Sequence, residues 1–263
     1  MMNDALTREQ DAGLSGWPEP VARMKQALER DEFVVYCQPS AALSGPVRFP
    51  MGEALVRLRQ EETSLMPPGE FLPIFEHFRM MPALDRWVVR NVLRHVARGS
   101  RIPHHSINVS SQTIADASFP GSVAQMLMKS GVPGGCLLFE IDEATLLAHP
   151  DEADRFGSAV STIGCRLTID GFGRRAVTFA PVKRLRVAYV KVDGSIVRQL
   201  LTSSSAERKL LAILRVAESI GFAVIAEMVE DQDILTRLKA LGVGYAQGFG
   251  IHEPRAIDGF AAA

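Results

Sequence analysis

RLTIDGFGRR, residues 166–175, reads as a strand that ends in chemistry. Leu167 and Ile169 alternate with polar neighbours as a short buried strand does. Asp170 stands where that strand gives way to a glycine-bracketed turn closed by Arg174 and Arg175. An unpaired acid at the end of a buried strand is costly, so its placement there is a functional posture. The posture recurs at other strand ends: Glu53 in GEALVR, Asn108 in INVSS, Glu140 in FEIDEA, Lys191 and Asp193 in VKVDG, Glu227 in IAEMVE and Gln247 in AQGFG.

Working outward, strand patterns at 188–192, 222–226 and 245–249 follow, separated by helical patterns over 207–220 and 232–241. Ser205 reads as the N-cap of the first of these helices. Upstream, a helix over 151–163, a strand over 137–141, a helix over 114–128, a strand over 106–109 and a helix over 84–97 continue the alternation. Before them, Pro67-Pro68-Gly69 opens a helix through Phe71, Ile74, Phe75 and Phe78. FVVYC, residues 33–37, is a strand ending at Gln38-Pro39, and a Ser44-Gly45-Pro46 turn leads to MGEALVRL. A lead-in helix from Pro18 places Val21, Met24 and Leu28 on one face, behind a polar and mobile 1–16. Strands separated by helical stretches of about 10–15 residues are βα units around a parallel sheet. About eight of them imply an α/β fold closed as a TIM-like (β/α)8 barrel. No GxGxxG turn follows the first strand, which counts against a doubly wound sheet. In a barrel the C-terminal strand ends share one mouth, so the polar residues above would converge.

Composition limits the rest. The chain has 263 residues, 47% hydrophobic and 22% charged, with a net charge of −1. That balance gives no global drive toward DNA or an anionic membrane. No apolar run approaches the ~18 residues of a membrane span, and MMNDALTREQ lacks the flanks of a signal peptide, so a cytoplasmic location is expected. Cys37, Cys136 and Cys165 are widely separated and read as reduced core thiols. His104 and His105 follow Pro103 and read as a solvated turn; no HExxH spacing is present. Glu143 and Glu230 read as helix-start or surface acids.

Oxygen donors without thiolate or imidazole describe a hard-cation site, suited to Mg²⁺, Mn²⁺ or Ca²⁺ rather than Zn²⁺. Lys191 adds a positive charge that would orient a water or help take its proton. Such a cluster suits hydrolysis of a phosphate ester.

The motifs carry a family resemblance. Glu53-Ala54-Leu55 is followed by Arg57; Gln38-Pro39, Phe71-Leu72-Pro73 with Glu76, Asn108-Val109-Ser110, Glu140, Lys191-Val192-Asp193, Ala226-Glu227 with Val229-Glu230, and Gln247-Gly248 stand in order. From about Arg30 to Pro254 the chain resembles the EAL domain family, which binds cyclic di-GMP and linearises it. The resemblance implies an EAL barrel over 30–256, between a tail with lead-in helix (1–29) and a C-terminal tail (257–263). It also implies an antiparallel first strand and frequent homodimers, and leaves open an upstream sensor domain or a regulatory protein partner. Glu53, Asn108, Glu140 and Asp170 would hold a first Mg²⁺ or Mn²⁺. Glu227 would help hold a second, and Lys191 would sit by the attacking water, with Glu53, Lys191 and Glu227 as the catalytic set. Gln38, Arg57, Asp193 and Gln247 would line the dinucleotide.

The family's DDFGTGYSSL reads here as DGFGRRAVTF, residues 170–179. Gly171 replaces an aspartate that in the family binds the second metal, and Met228 replaces the glycine of AEGVE. Arg174 and Arg175 replace small residues; they read either as solvated surface charges or as a guanidinium that offsets phosphate charge. The expected result is a cyclic di-GMP receptor with reduced or absent phosphodiesterase activity. The alternatives are an active metal-dependent phosphodiesterase and a ligand-free protein-interaction regulator.

Overall fold

The computed structural model of the chain describes residues 17, 19–60, 64–174 and 179–262; the expectations for 1–16 and for Arg175 lie outside them. Helix α1 (Pro20–Glu29) leads into strand β1 (Phe33–Ala42). β1 runs on through Gln38-Pro39, where the sequence reading ended it. Its partner on that flank changes from the C-terminal strand at Tyr36 and Cys37 to another strand at Ala41 and Ala42, and Pro39 falls between them. No ladder bond is asked of the missing N–H.

β2 (Met51–Arg59) carries the Glu53 motif, and β3 (Leu65–Met66) pairs with its far end. α2 (Pro68–His77) and α3 (Met81–Ala97) both place proline in the first turn, where its absent N–H costs nothing. β4 (His104–Asn108) follows, then α4 (Ser111–Ala115), α5 (Phe119–Ser130) and β5 (Leu137–Asp142). The single helix expected over 114–128 is therefore two. Pro120 is tolerated only at a helix start, and Asp116 turns the chain by accepting from the Ser118 N–H at 2.9 Å.

α6 (Glu143–Ala148), α7 (Pro150–Thr162), β6 (Arg166–Phe172), α8 (Ala180–Leu185), β7 (Tyr189–Val192) and α9 (Gly194–Val197) come next. α10 (Ser204–Ile220) is capped by Ser203, whose oxygen accepts from the Ala206 N–H; Ser205 is already inside the helix. β8 (Ala223–Ala226), α11 (Gln232–Ala240), β9 (Tyr245–Ala246) and β10 (Arg255–Ala256) complete the order. β9 is shorter than the expected 245–249, because beyond Ala246 the chain turns against the Val229 backbone.

The sheet closes as β1-β9-β8-β7-β6-β5-β4-β2-β1. β1 is antiparallel to both neighbours, and the remaining pairs around the ring are parallel. This is the closed barrel expected, with the first strand reversed. Met51 of β2, Leu138 of β5 and Ile225 of β8 plug its interior, with Tyr189 and Tyr245 against them. The outer layer buries a larger cluster, in which Phe33, Phe71, Phe75 and Trp87 meet ring to ring at 5.3–6.3 Å. The cysteines are free thiols, as read. His104 and His105 are not a solvated turn: they begin β4, where His105 is fully buried and His104 Nδ1 lies 2.8 Å from the Gly135 carbonyl.

Register places the acids at one rim: Asn108 pairs with Glu140, and Asp142 with Asp170. Between β6 and β7 the register shifts from Ile169–Val190 to Phe172–Val192, so Asp170 and Gly171 together face Lys191. This bulge, with Gly171 at φ +64, re-aims Asp170 at the barrel axis.

Below the rim, Asp85 of α3 accepts from the Ser110 N–H and from the Ser110 and Thr113 hydroxyls, pinning the β4–α4 turn. Burial pushes its pKa from 3.8 up to about 7 against those donors. The folded value exceeds the unfolded one, so this contribution to stability is full below pH 3.8 and is lost as pH rises through about 7. The expected loss is on the order of 4 kcal/mol across that window. Urea melts of an Asp85→Asn variant should show a flatter pH profile over it; an unchanged slope would remove Asp85 as the source.

Candidate functional site

Lys191 is the centre of the rim. It is buried, and its ammonium lies 2.8 Å from Glu53 Oε2, 3.0 Å from Glu140 Oε2, 3.2 Å from Glu227 Oε1 and 3.4 Å from Asp170 Oδ1. Four carboxylates from β2, β5, β6 and the β8 end thus meet one cation. Alternation on each strand puts them there: every second residue of a barrel strand faces inward, and β7 delivers Lys191 opposite the others. Burial opposes the charge of Lys191, but the carboxylates, Glu140 first, outweigh it and hold its pKa well above the ordinary value. Held as a cation by these carboxylates, Lys191 can donate to a water.

Burial pushes Glu140 and Glu227 up, against the pull of Lys191. Asp170 moves the other way: burial would raise it, but Lys191 and a hydrogen bond from Glu227 bring it below the usual range. The two carboxyl groups are thus driven apart, Asp170 down and Glu227 up.

Around this hub, Asn108 Nδ2 donates to Glu53 Oε1 at 2.7 Å. Gln247 Nε2 donates to Glu53 Oε2 at 2.9 Å and to Gln38 Oε1 at 3.4 Å, while Gln38 donates to the His252 carbonyl. Both glutamines hold Glu53 in place. Arg57 stays outside the carboxylate group: it donates to the Val56 carbonyl and lies 5.8 Å over the Tyr36 ring. A cleft of about 520 Å³ opens beside Asn108 and Glu140, walled by Leu55, Glu76, Asp85 and Gln112.

Whether these groups suit a cation can be read from the donors. Among the described residues, no three His, Cys, Asp or Glu side chains already surround an ion-sized gap, because the Lys191 ammonium occupies the middle. The set still fits a hard divalent ion at the Glu53–Asn108–Glu140–Asp170 side. It is all oxygen, four carboxylates face one ammonium, and Gln247 Oε1 is buried without a hydrogen-bond partner. The side facing Gly171 is less suited to a second ion, since the residue offers no side-chain donor and the Arg174 guanidinium lies against it.

Asp142, which the sequence reading did not single out, and Glu143 also belong to this rim. Asp142, two residues beyond Glu140 and so on the same strand face, caps α6 through Oδ1, while its Oδ2 lies near Gly171. Strand alternation alone would have found it. Glu143 starts α6 as expected but is not a surface acid: it is buried and accepts from the Gly173 N–H at 3.1 Å, fixing the turn after Asp170. Asp193 caps α9 and is paired with Arg174. Met228 adopts φ +53 beside Glu227, where a glycine would be unstrained, and its side chain covers Gly194.

The family model of the EAL domain matches residues 21–254. The chain belongs to the EAL domain family. Its curated relatives include the cyclic di-GMP phosphodiesterase PdeF of Escherichia coli, 30% identical over 89% of this chain and 32% of that protein. Another is the cyclic di-GMP phosphodiesterase PdeB of Shewanella oneidensis, 27% identical over 92% of this chain and 29% of that protein. The EAL chain thus spans about a third of the length of these relatives. Among solved structures, the FimX EAL domain of Pseudomonas aeruginosa bound to c-di-GMP is 27% identical, with a TM-score of 0.83 over 90% of this chain and 96% of that one. The PaMucR phosphodiesterase in complex with c-di-GMP is 26% identical, with a TM-score of 0.82 over 92% and 99% of the two chains. No helix among the described residues of the EAL chain is long and apolar enough to cross a membrane.

Proposed function

We propose that this EAL domain binds cyclic di-GMP at the barrel mouth and hydrolyses it slowly or not at all, as a receptor in second-messenger signalling. One observation carries the reading: the carboxylates around Lys191 are complete, while Gly171 leaves the neighbouring position without its acid. Glu53, Asn108, Glu140 and Asp170 would hold one Mg²⁺ or Mn²⁺. When bound, such an ion polarises a phosphoryl oxygen and lowers the pKa of water. Lys191, fixed as a cation, orients the water and a phosphate oxygen by donating N–H bonds. Gln38 and Gln247 keep Glu53 aimed at the same point. Arg57, at the outer end of β2, offers its remaining N–H groups to the dinucleotide, with Asp193 at the opposite edge.

Relatives named as phosphodiesterases support the substrate class, and the c-di-GMP-bound EAL structures support the site. The test is a calorimetric titration with cyclic di-GMP in Ca²⁺, beside chromatography of product formed in Mn²⁺. Binding with turnover far below the roughly 1–10³ s⁻¹ of ordinary enzymes is expected. Turnover within that range would favour the active enzyme, and absence of binding would favour a protein-interaction regulator. A homodimer and an upstream sensor domain belong to the same proposal, and sedimentation of the purified chain tests the first.

A further inference from the structure

The turn after Asp170 holds a second cation that no metal supplies. Arg174 Nε donates to Asp193 Oδ2 at 2.8 Å, across the mouth from β6 to the start of α9. A Cβ placed on Gly171 would lie 3.2 Å from Arg174 Nη2 and 3.6 Å from Asp142 Oδ2. The guanidinium therefore occupies the space that a side chain at 171 would enter. The Asp193 bond, the Asp193 charge and the charges of Asp142 and Asp170 all stabilise its positive form. The side chain is exposed on its outer side, yet its Nε is held by Asp193. Gly171 and Arg174 are a matched pair: the glycine removes a carboxylate and clears the volume, and the arginine fills it with positive charge.

We infer that the Arg174 guanidinium is a tethered cation standing in the second ion's position, so that this chain takes one divalent ion per site. The inference rests on the proposed reading of the carboxylate rim as an ion site and deepens it. A guanidinium carries one positive charge, half that of the ion it replaces. It donates to phosphate oxygens but cannot bind and acidify a water. The substitution thus separates holding a phosphodiester from cleaving it.

Ion stoichiometry tests the pairing without reference to activity. Free Mn²⁺ is counted by electron paramagnetic resonance during titration of the folded chain and its variants, each checked by thermal melting. One ion is expected for the parent and for Gly171→Asp, because the new carboxylate pairs with Arg174; aspartate tolerates the left-handed backbone at 171. Two are expected for Gly171→Asp with Arg174→Thr. Two ions in the parent, two in Gly171→Asp alone, or one in the double variant would each overturn the inference. Should Gly171→Asp not fold, Arg174→Glu at its exposed position serves: a second ion is expected, and a single one overturns the inference. Cyclic di-GMP titration of the same samples separates the two readings. Ion counts that follow the pattern without any nucleotide binding would end the receptor proposal and leave this one standing.

Discussion

Lys191→Met is expected to lower the melting temperature by roughly 10 °C at pH 7.5 in the absence of metal, and added Mn²⁺ should restore much of it. The side chain is buried among four carboxylates, of which Glu140 is itself fully enclosed. Removing one partner of a buried ionic group leaves uncompensated charge, at a cost of about 3–5 kcal/mol. For a domain of this size each kcal/mol moves the midpoint by about 2–4 °C. Without the ammonium the carboxylates take up protons instead, so the penalty should shrink as the pH falls toward 5. A divalent ion supplies the missing counter-charge and stabilises the folded state by mass action. An unchanged midpoint without metal would show that Lys191 is not the electrostatic centre of the rim. A midpoint that Mn²⁺ does not move would show that no ion enters there.

Gly248→Ala should be strongly disruptive. Its Cβ would lie 2.2 Å from the Val229 carbonyl oxygen and 2.3 Å from the Val229 nitrogen. There the segments after β8 and β9 cross and bond to each other, Val229 N–H to the Gln247 carbonyl and Gly250 N–H to the Val229 carbonyl, both at 3.0 Å. Backbone cannot swing aside as a flexible side chain can, so the two segments must part. A loss of about 3 kcal/mol is expected, at the upper end of overpacking costs. Glu227 and Gln247 would move with their segments, so nucleotide affinity should fall as well. Gly121→Ala in α5, where nothing lies within 4 Å, is the control and should stay within about 0.5 kcal/mol. A Gly248→Ala protein that melts with the parent would mean the crossing is looser than its distances imply.

The legible parts of this protein are those with a local cause. Strand ends announced Glu53, Glu140, Asp170, Lys191 and Glu227, because buried strands have a period of two and a charged residue inside one stands out. Helix patterns and proline placement gave the βα alternation. Where local cues competed, the reading slipped. Ser205 has the right chemistry for a cap, but Ser203 is where the chain turns. His104 and His105 look like a polar turn, yet they start β4. Glu143 has the look of a solvated first-turn acid and is instead buried under the Gly173 amide.

By itself the sequence determined the closed barrel and the identity of the rim acids, since burial and periodicity act over a few residues and leave their mark on each segment. Only closure of the barrel decided what each acid would meet. It placed Lys191 within 3.4 Å of four carboxylates drawn from positions 53 to 227. It also set Arg174 against Asp193 over the empty side of Gly171. Periodicity states which face of a strand is buried. Which distant charge fills the space opposite is fixed by the through-space field of the assembled ring, which no single segment contains.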